Sequence, residues 1–219
     1  MLVLGDKKMN CGFDEAGRGA LLGALVIAGA CFLEEDLQRL KDIGVKDSKL
    51  LSPKKRDELA IEIKKIAKRW DIVEITANQI DQRFKSGKNL NILELDGFST
   101  LIKNLKPKKA YIDCFYKDPE KLKNLLSKET KSELIVEHKA DMNYLVVGAA
   151  SILAKTQRDD SIKDFEKETG KKIGSGYPSD SVSRKFVEEN MNLPFIRKTW
   201  ASYENIKGKK QQTSLGQFE

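Results

Sequence analysis

The sequence predicts an α/β protein: a mixed β-sheet flanked by helices, followed by a C-terminal helical segment. Short apolar or alternating runs at 9–14, 24–32, 71–76, 109–113 and 134–137 have the length and composition of strands. Longer stretches with helical period separate the later runs, and beyond 143 only helical patterns remain. Strands first, then strands alternating with helices, give a sheet with helices on its faces.

Taken in order, the runs 9–14 and 24–32 are rich in small and β-branched residues, with glycine-rich turn chemistry between them. Residues 34–42 read as a helix. So do 53–69, where Ser52 is placed as N-cap and Pro53 at the first helical position. Residues 71–76 alternate as a strand does. Leu90, Leu93, Leu95, Phe98, Leu101 and Ile102 form an apolar stripe that predicts a helix over 89–105. After the strands 109–113 and 134–137, residues 145–154 are apolar nearly all round, the pattern of a helix buried in a core. Its continuation, 155–167, is highly charged and belongs in solvent. Two further helices, 179–190 and 197–206, are split by Pro194. The expected organisation is an α/β core over 1–170, a helical subdomain over 171–207 and a flexible tail over 208–219, where apolar residues are few.

A chain of 219 residues supports one good core with a small appended subdomain. A net charge of +7 favours a polyanionic partner only slightly. Cys11, Cys31 and Cys114 are odd in number, far apart and in apolar contexts, which predicts reduced core thiols and no disulfide framework. The longest apolar-plus-glycine run, 20–32, is too short to span a bilayer, and its place after a charged motif argues against a secretory signal. A soluble, cytoplasmic monomer is expected.

The chemistry concentrates in Asp14-Glu15-Ala16-Gly17-Arg18-Gly19, directly after the first apolar strand. Adjacent acids at such a strand end are costly to bury unless paired or holding a metal ion. An arginine between glycines lets backbone approach a ligand with a cation alongside. Asp113 ends a later strand, and Asp141 lies just before the buried helix. Carboxylates at the ends of several elements can converge at one sheet edge, where oxygen ligands suit Mg²⁺ or Mn²⁺ and two such ions suit displacement at phosphorus. Neighbours on a regular strand face opposite ways, so Asp14 and Glu15 share a site only if the strand breaks there, which Gly17 and Gly19 favour. Asp159 and Asp160 are excluded by distance. On a continuous helix Asp159 would lie about 27 Å from Asp141, and pairing with nearby bases is expected instead. Any one acid taken singly also reads as a turn or a helix cap, Asp141 in particular.

Together these residues resemble the type 2 ribonuclease H, or ribonuclease HII, family. The matching segments are the hexapeptide above, Lys46-Asp47-Ser48-Lys49-Leu50-Leu51-Ser52-Pro53, Tyr111-Ile112-Asp113, His138-Lys139-Ala140-Asp141, Ala149-Ala150-Ser151-Ile152-Leu153-Ala154-Lys155 and Gly174-Ser175-Gly176-Tyr177-Pro178-Ser179-Asp180. They run in the family's order over nearly all of 9–203. The Gly-Ser-Gly-Tyr-Pro form, with Arg197-Lys198-Thr199-Trp200 after it, is similar to the archaeal and eukaryotic branch.

The resemblance implies a ribonuclease H-like fold and an endoribonuclease that leaves 5′-phosphomonoesters. Its substrates would be the RNA strand of RNA/DNA hybrids and ribonucleotides embedded in duplex DNA, cut on their 5′ side with Mg²⁺ or Mn²⁺. It implies Asp14, Glu15, Asp113 and Asp141 as catalytic, metal-binding acids. Gly17, Arg18 and Gly19 would read the ribose 2′-OH, and Tyr177 would pack on the neighbouring deoxyribose. Lys49 and Ser175 are candidate phosphate contacts, weighed against a solvated lysine and a turn serine. Ala20 and Ala24 stand where the family commonly has prolines, which loosens this loop by roughly 0.4–1 kcal/mol per site.

His138, the only histidine, reads as a strand-end residue bonded to nearby backbone rather than as a proton relay. At the C-terminus Gln212, Leu215 and Phe218 match the clamp-binding pattern Gln-x-x-aliphatic-x-x-aromatic-aromatic, with Glu219 in place of the second aromatic. A PCNA-type sliding clamp is the expected partner, bound weakly. The alternatives are a catalytically silent hybrid-binding module recruited to a clamp, and another nuclease of the same superfold. The intact acids argue against the first, and the Gly-Arg-Gly and Gly-Ser-Gly-Tyr-Pro segments against the second. Ribonuclease HIII is set aside because its added N-terminal domain has no room before Asp14.

Overall fold

The computed structural model describes residues 9–46, 52–83 and 85–215, with side chains as far as 208. In chain order the elements are β1 (Met9–Ala16), β2 (Leu25–Leu33), a 3-10 turn (Glu34–Asp36), α1 (Leu37–Asp42), α2 (Pro53–Ile66), β3 (Arg69–Ile75), α3 (Ala77–Gln82) and α4 (Leu90–Leu105). Then come β4 (Lys109–Asp113), α5 (Pro119–Leu126), β5 (Glu133–Glu137), α6 (Ala140–Asn143), α7 (Leu145–Thr169), α8 (Ser181–Glu189) and α9 (Ala201–Leu215).

The chain divides into two compact units. The first comprises 1–16, 26–73 and 91–157. It is built on a five-stranded sheet of order β3-β2-β1-β4-β5, with β1 antiparallel to β2 and parallel to β4, and β4 parallel to β5. β2 is buried along its whole length, which accounts for its unbroken apolar sequence. Helices cover both faces. A Cβ on Gly29 would meet Leu105 of α4 and the ring of its cross-strand partner Phe13, whereas one on Gly12, one residue along β1, would meet the first turn of α7. The starts of the helices follow local chemistry. Ser52 caps α2 by accepting from the Lys55 N–H, and Asp118 caps α5 by accepting from the Glu120 N–H. Thr76 and Gln79 form a capping box on α3.

The second unit comprises 17–25, 74–90 and 158–219, three stretches rather than the single expected segment 171–207. Its core gathers Leu21, Leu22, Ile162, Ile173, Phe186, Val187, Ile196, Tyr203 and Ile206, with Phe165 stacked on Phe195. The loop 17–25 belongs here because it bonds to distant segments. Leu22 bridges Ile196, and the Leu21 and Leu22 N–H groups both donate to the Gly176 carbonyl.

Three expectations change. Cys11 and Cys31 are direct cross-strand partners joined by a disulfide, where separate thiols were expected; a pairing set by strand register leaves no trace in sequence spacing. Helix α2 ends at Ile66 because the chain turns into β3 from Arg69. Helix α9 continues through Leu215, into the segment expected to be flexible, over residues that tolerate helix in the absence of proline. No described helix is long and apolar enough to cross a membrane.

Candidate active site

β1 carries Asp14 and Glu15 in unbroken register with β2, opposite Ala28 and Ile27. The expected break between these acids is absent, because β2 supplies partners as far as Ala16. Alternation starts the two side chains on opposite faces, yet at the strand end the Glu15 carboxylate still lies close enough for its charge to act on Asp14. Asp14 lies on the α7 face with Gly12. Because Ile112 is paired with Phe13, Asp113 at the end of β4 falls on that same face.

Asp14 is 4% exposed. Its carboxyl is held well above the ordinary aspartate range, first by burial and then by the negative charges of Glu15 and Asp113. The Ser151 side chain and the Glu15 N–H, 2.7 Å from Oδ1, act in the opposite direction. Ser151 sits in the matched segment 149–155, yet the sequence reading gave it no role, since only the fold brings α7 beside β1. The Asp113 Oδ1 accepts a 2.8 Å hydrogen bond from the Ala140 N–H and so caps α6, the short helix that carries Asp141. Lys139 enters that helix in the left-handed region, at φ 58°. Asp141 is half-buried and lines an open cavity together with Lys41 and Lys46.

Glu15 and Asp113 are thus both within electrostatic range of Asp14, and the turn that bears Asp141 is tied to Asp113 through the Ala140 N–H. Among the described residues no three acids, histidines or cysteines form a ready-made metal-ligating group. The donor chemistry nonetheless suits a hard divalent cation. The oxygens are carboxylate, and the buried one is destabilised by like charges that a cation would offset.

The other expected residues lie in the second unit or outside the described residues. Gly17 has φ +85°, and a Cβ there would sit 2.8 Å from the Ala24 carbonyl and 2.9 Å from Arg158 Cδ. Arg18 is half-buried, and Gly19 is exposed with open space where a Cβ would stand. The Ala20 N–H donates to the Gly17 carbonyl at 3.2 Å. A proline at 20 could not make that bond. Tyr177 is half-buried, with the Arg158 guanidinium 4.5 Å from its ring centroid. Ser175 is exposed and its N–H donates to Asp180. Lys49 and Phe218 lie outside the described residues. Gln212 and Leu215 fall on α9 by backbone, but their side chains lie outside them too.

His138 places Nδ1 and Nε2 each 3.3 Å from a backbone carbonyl, those of Cys114 and Lys117, in keeping with the bonding role expected. Asp159 pairs with Arg158 at 3.2 Å and Asp160 with Lys163 at 2.8 Å, as expected.

Asp180 accepts from the Ser175 and Val182 N–H groups, and these bonds bring its carboxyl from 3.8 down to about 2. Because the folded value is depressed, the stabilisation is full above pH about 4 and fades as pH falls toward about 2. Asp180→Asn is expected to lower the melting temperature at pH 7. The deficit relative to wild type should shrink as both are acidified to pH about 2. A deficit constant across that range would show that the charge is not responsible.

The model of the ribonuclease HII family matches residues 11–203. Ribonuclease HII of Methanobrevibacter smithii is 43% identical over 201 residues, covering 90% of this chain and 97% of that protein. The crystal structure of ribonuclease H2 from Pyrococcus horikoshii superposes with a TM-score of 0.85 at 36% identity, covering 93% of this chain and 99% of that one. The ribonuclease HII solved in complex with PCNA from Archaeoglobus fulgidus gives 0.82 at 38% identity, over 88% and 95% of the two chains. With the family's motifs present in order and its fold reproduced, the chain belongs to the ribonuclease HII family of endoribonucleases.

Proposed function

We propose that this chain is a divalent-metal-dependent endoribonuclease that hydrolyses the RNA strand of RNA/DNA hybrids and incises 5′ to ribonucleotides embedded in duplex DNA. The observation that carries the reading is geometric: a buried Asp14 with Glu15 next to it and Asp113 beside it at the end of the adjacent strand, so that burial first and then these like charges push its carboxyl up. A structural role alone gives no reason to gather like charges in a buried place.

Asp14, Glu15, Asp113 and Asp141 would hold Mg²⁺ or Mn²⁺, as a two-ion site. Bound there, such ions would supply Lewis acidity and offset negative charge on the phosphate and leaving-group oxygens. The chain's own contribution is placement. Ser151 holds Asp14, and the Asp113 cap on α6 ties the strand end to the turn bearing Asp141. Gly17, Arg18 and Gly19 contact the ribose, Tyr177 the adjoining sugar, and Lys49 and Ser175 the phosphates. Gln212, Leu215 and Phe218 recruit a PCNA-type sliding clamp; the PCNA complex of the Archaeoglobus relative supports that part of the reading.

The test offers a DNA duplex with one embedded ribonucleotide, with Mg²⁺ or Mn²⁺, to wild type and to Asp113→Asn. Wild type is expected to cut once, on the 5′ side of the ribonucleotide. Asp113→Asn is expected to lose at least about 10²-fold in rate, the scale of removing one preorganised electrostatic group. A wild type that binds the duplex without cutting it would favour the catalytically silent module. Full activity in the variant would remove Asp113 from the site.

A further inference from the structure

Two buried arginines in the second unit have been given no role in the proposed function. Arg197 is 0% exposed and Arg158 is 2% exposed. Burying a guanidinium is costly unless its donors are satisfied and its charge is offset. Arg158 has Asp159 beside it at 3.2 Å. Arg197 instead turns two of its three nitrogens to backbone, Nε to the Gly23 carbonyl at 2.9 Å and Nη1 to the Arg18 carbonyl at 3.1 Å, while its buried Nη2 has no hydrogen-bond partner among the described residues.

Those two bonds fix the direction of peptide groups. In a trans peptide the carbonyl and the following N–H point opposite ways. With the Arg18 carbonyl turned inward to Arg197, the Gly19 N–H is turned outward, on a residue that is exposed and has free space at its Cβ position. The Ala20 N–H→Gly17 carbonyl bond closes the turn around it. The result is a backbone donor on a rigid turn, facing away from the protein.

Arg158 acts on both loops at once. Its Nη2 bonds the Ser175 carbonyl at 2.6 Å, and its guanidinium lies over the Tyr177 ring. Its stem fills the place that a Cβ on Gly17 would occupy, while a Cβ on Gly176 would stand 2.6 Å from Nη2. Both glycines have positive φ, so each loop admits the arginine only where the backbone is bare. The Gly176 carbonyl accepts from Leu21 and Leu22 between the same loops. A planar fork that bonds and stacks together is what lysine lacks.

We infer that Arg197 and Arg158 are positioning residues for reading the ribonucleotide: Arg197 aims the Gly19 N–H at the sugar, and Arg158 locks the Gly17–Gly19 turn to Tyr177. The inference rests on the proposed assignment of Gly17–Gly19 and Tyr177 as substrate contacts. Recognition of one hydroxyl by backbone requires placement within a fraction of an ångström, which a fixed fork supplies and a flexible loop does not.

The experiment measures binding, in metal-free buffer, of a duplex with one embedded ribonucleotide and of the matching all-DNA duplex. The readout is the ratio of the two affinities. Because both affinities come from the same folded molecules, loss of folded protein alone leaves this ratio unchanged. Arg197→Lys and Arg158→Lys, which keep the charge, are each expected to lower the ratio about tenfold, with all-DNA affinity near wild type. Gly19→Ala and Tyr177→Ala test the underlying assignment. If neither alters the ratio, that assignment fails. If they lower it while both lysine variants keep the wild-type value, the inference about the arginines is overturned.

A wild-type measurement covers the case in which a variant does not fold. The Arg197 guanidinium N–H resonances are expected to be protected from exchange and to shift with the ribonucleotide duplex but not with all-DNA. Rapid exchange, or equal shifts with both duplexes, would overturn the assignment of Arg197.

Discussion

Asp14→Asn is expected to abolish metal-dependent cleavage and, in the same protein, to raise the stability of the metal-free chain. Both effects come from one carboxyl. Asp14 is almost fully buried, and Glu15 and Asp113 add negative charge to a place that already disfavours it. Its folded-state value therefore lies above 3.8. A group raised in this way stabilises the fold below its unfolded value, and that contribution is lost as pH rises through the folded value. At neutral pH without metal, a carboxyl raised in this way works against folding, because the unfolded chain ionises it more readily than the folded one does. Asparagine is nearly isosteric, carries no charge and can still bond Ser151.

The expected measurements are specific. In EDTA the variant should melt above wild type at pH 7, and the difference should vanish as pH falls toward the ordinary aspartate range, where Asp14 is protonated. Added Mn²⁺ should raise the melting point of wild type by selective binding to the folded form and raise the variant's less. Cleavage should fall at least about 10²-fold. A variant that melts below wild type in EDTA at neutral pH would mean that the carboxylate is satisfied without metal. The carboxyl cluster would then lose its standing as the observation that carries the function. Stability given up at a functional site is a familiar trade, and here the pH dependence makes it measurable.

Much of this arrangement was legible in sequence because its signals are local. An apolar run ending in adjacent acids and then glycines marks β1 and its turn, and the all-round apolar start of α7 marks a buried helix. Where pairing partners decide the outcome, the sequence is mute. β1 keeps its register to Ala16 because β2 continues opposite it, and Cys11 meets Cys31 only once that register exists. Short helices escape periodicity, and α3 and α5 were absent from the reading for that reason. Their capping residues, Thr76 with Gln79 and Asp118 before Pro119, were the signal available. Arg158 and Arg197 escaped it for another reason. Among 40 lysines and arginines nothing local separates a surface cation from one buried against backbone carbonyls.

Gly12→Ala is expected to be strongly damaging to the first unit, although it adds only one methyl group and alters no charge. A Cβ built on Gly12 would lie inside the van der Waals envelope of the Val146 carbonyl and the Val147 nitrogen, and those atoms are backbone at the first turn of α7. A flexible side chain could move aside, but a helix backbone cannot without moving the helix. Gly12 lies in the middle of β1, where glycine ordinarily weakens a strand; such a residue marks close approach of another backbone. Overpacking a core costs about 1–3 kcal/mol when side chains can adjust, so displacing a helix start should exceed that range. The displacement would also be functional. α7 brings Ser151 to Asp14, so moving its first turn from β1 should loosen that contact. Gly12→Ala should therefore lower the denaturant midpoint by more than Ala28→Gly, a cavity-forming change on the neighbouring strand, and should lose cleavage per folded molecule as well. Wild-type stability in Gly12→Ala would mean that β1 and α7 do not pack backbone to backbone. The placement of Ser151 against Asp14 would then need another support.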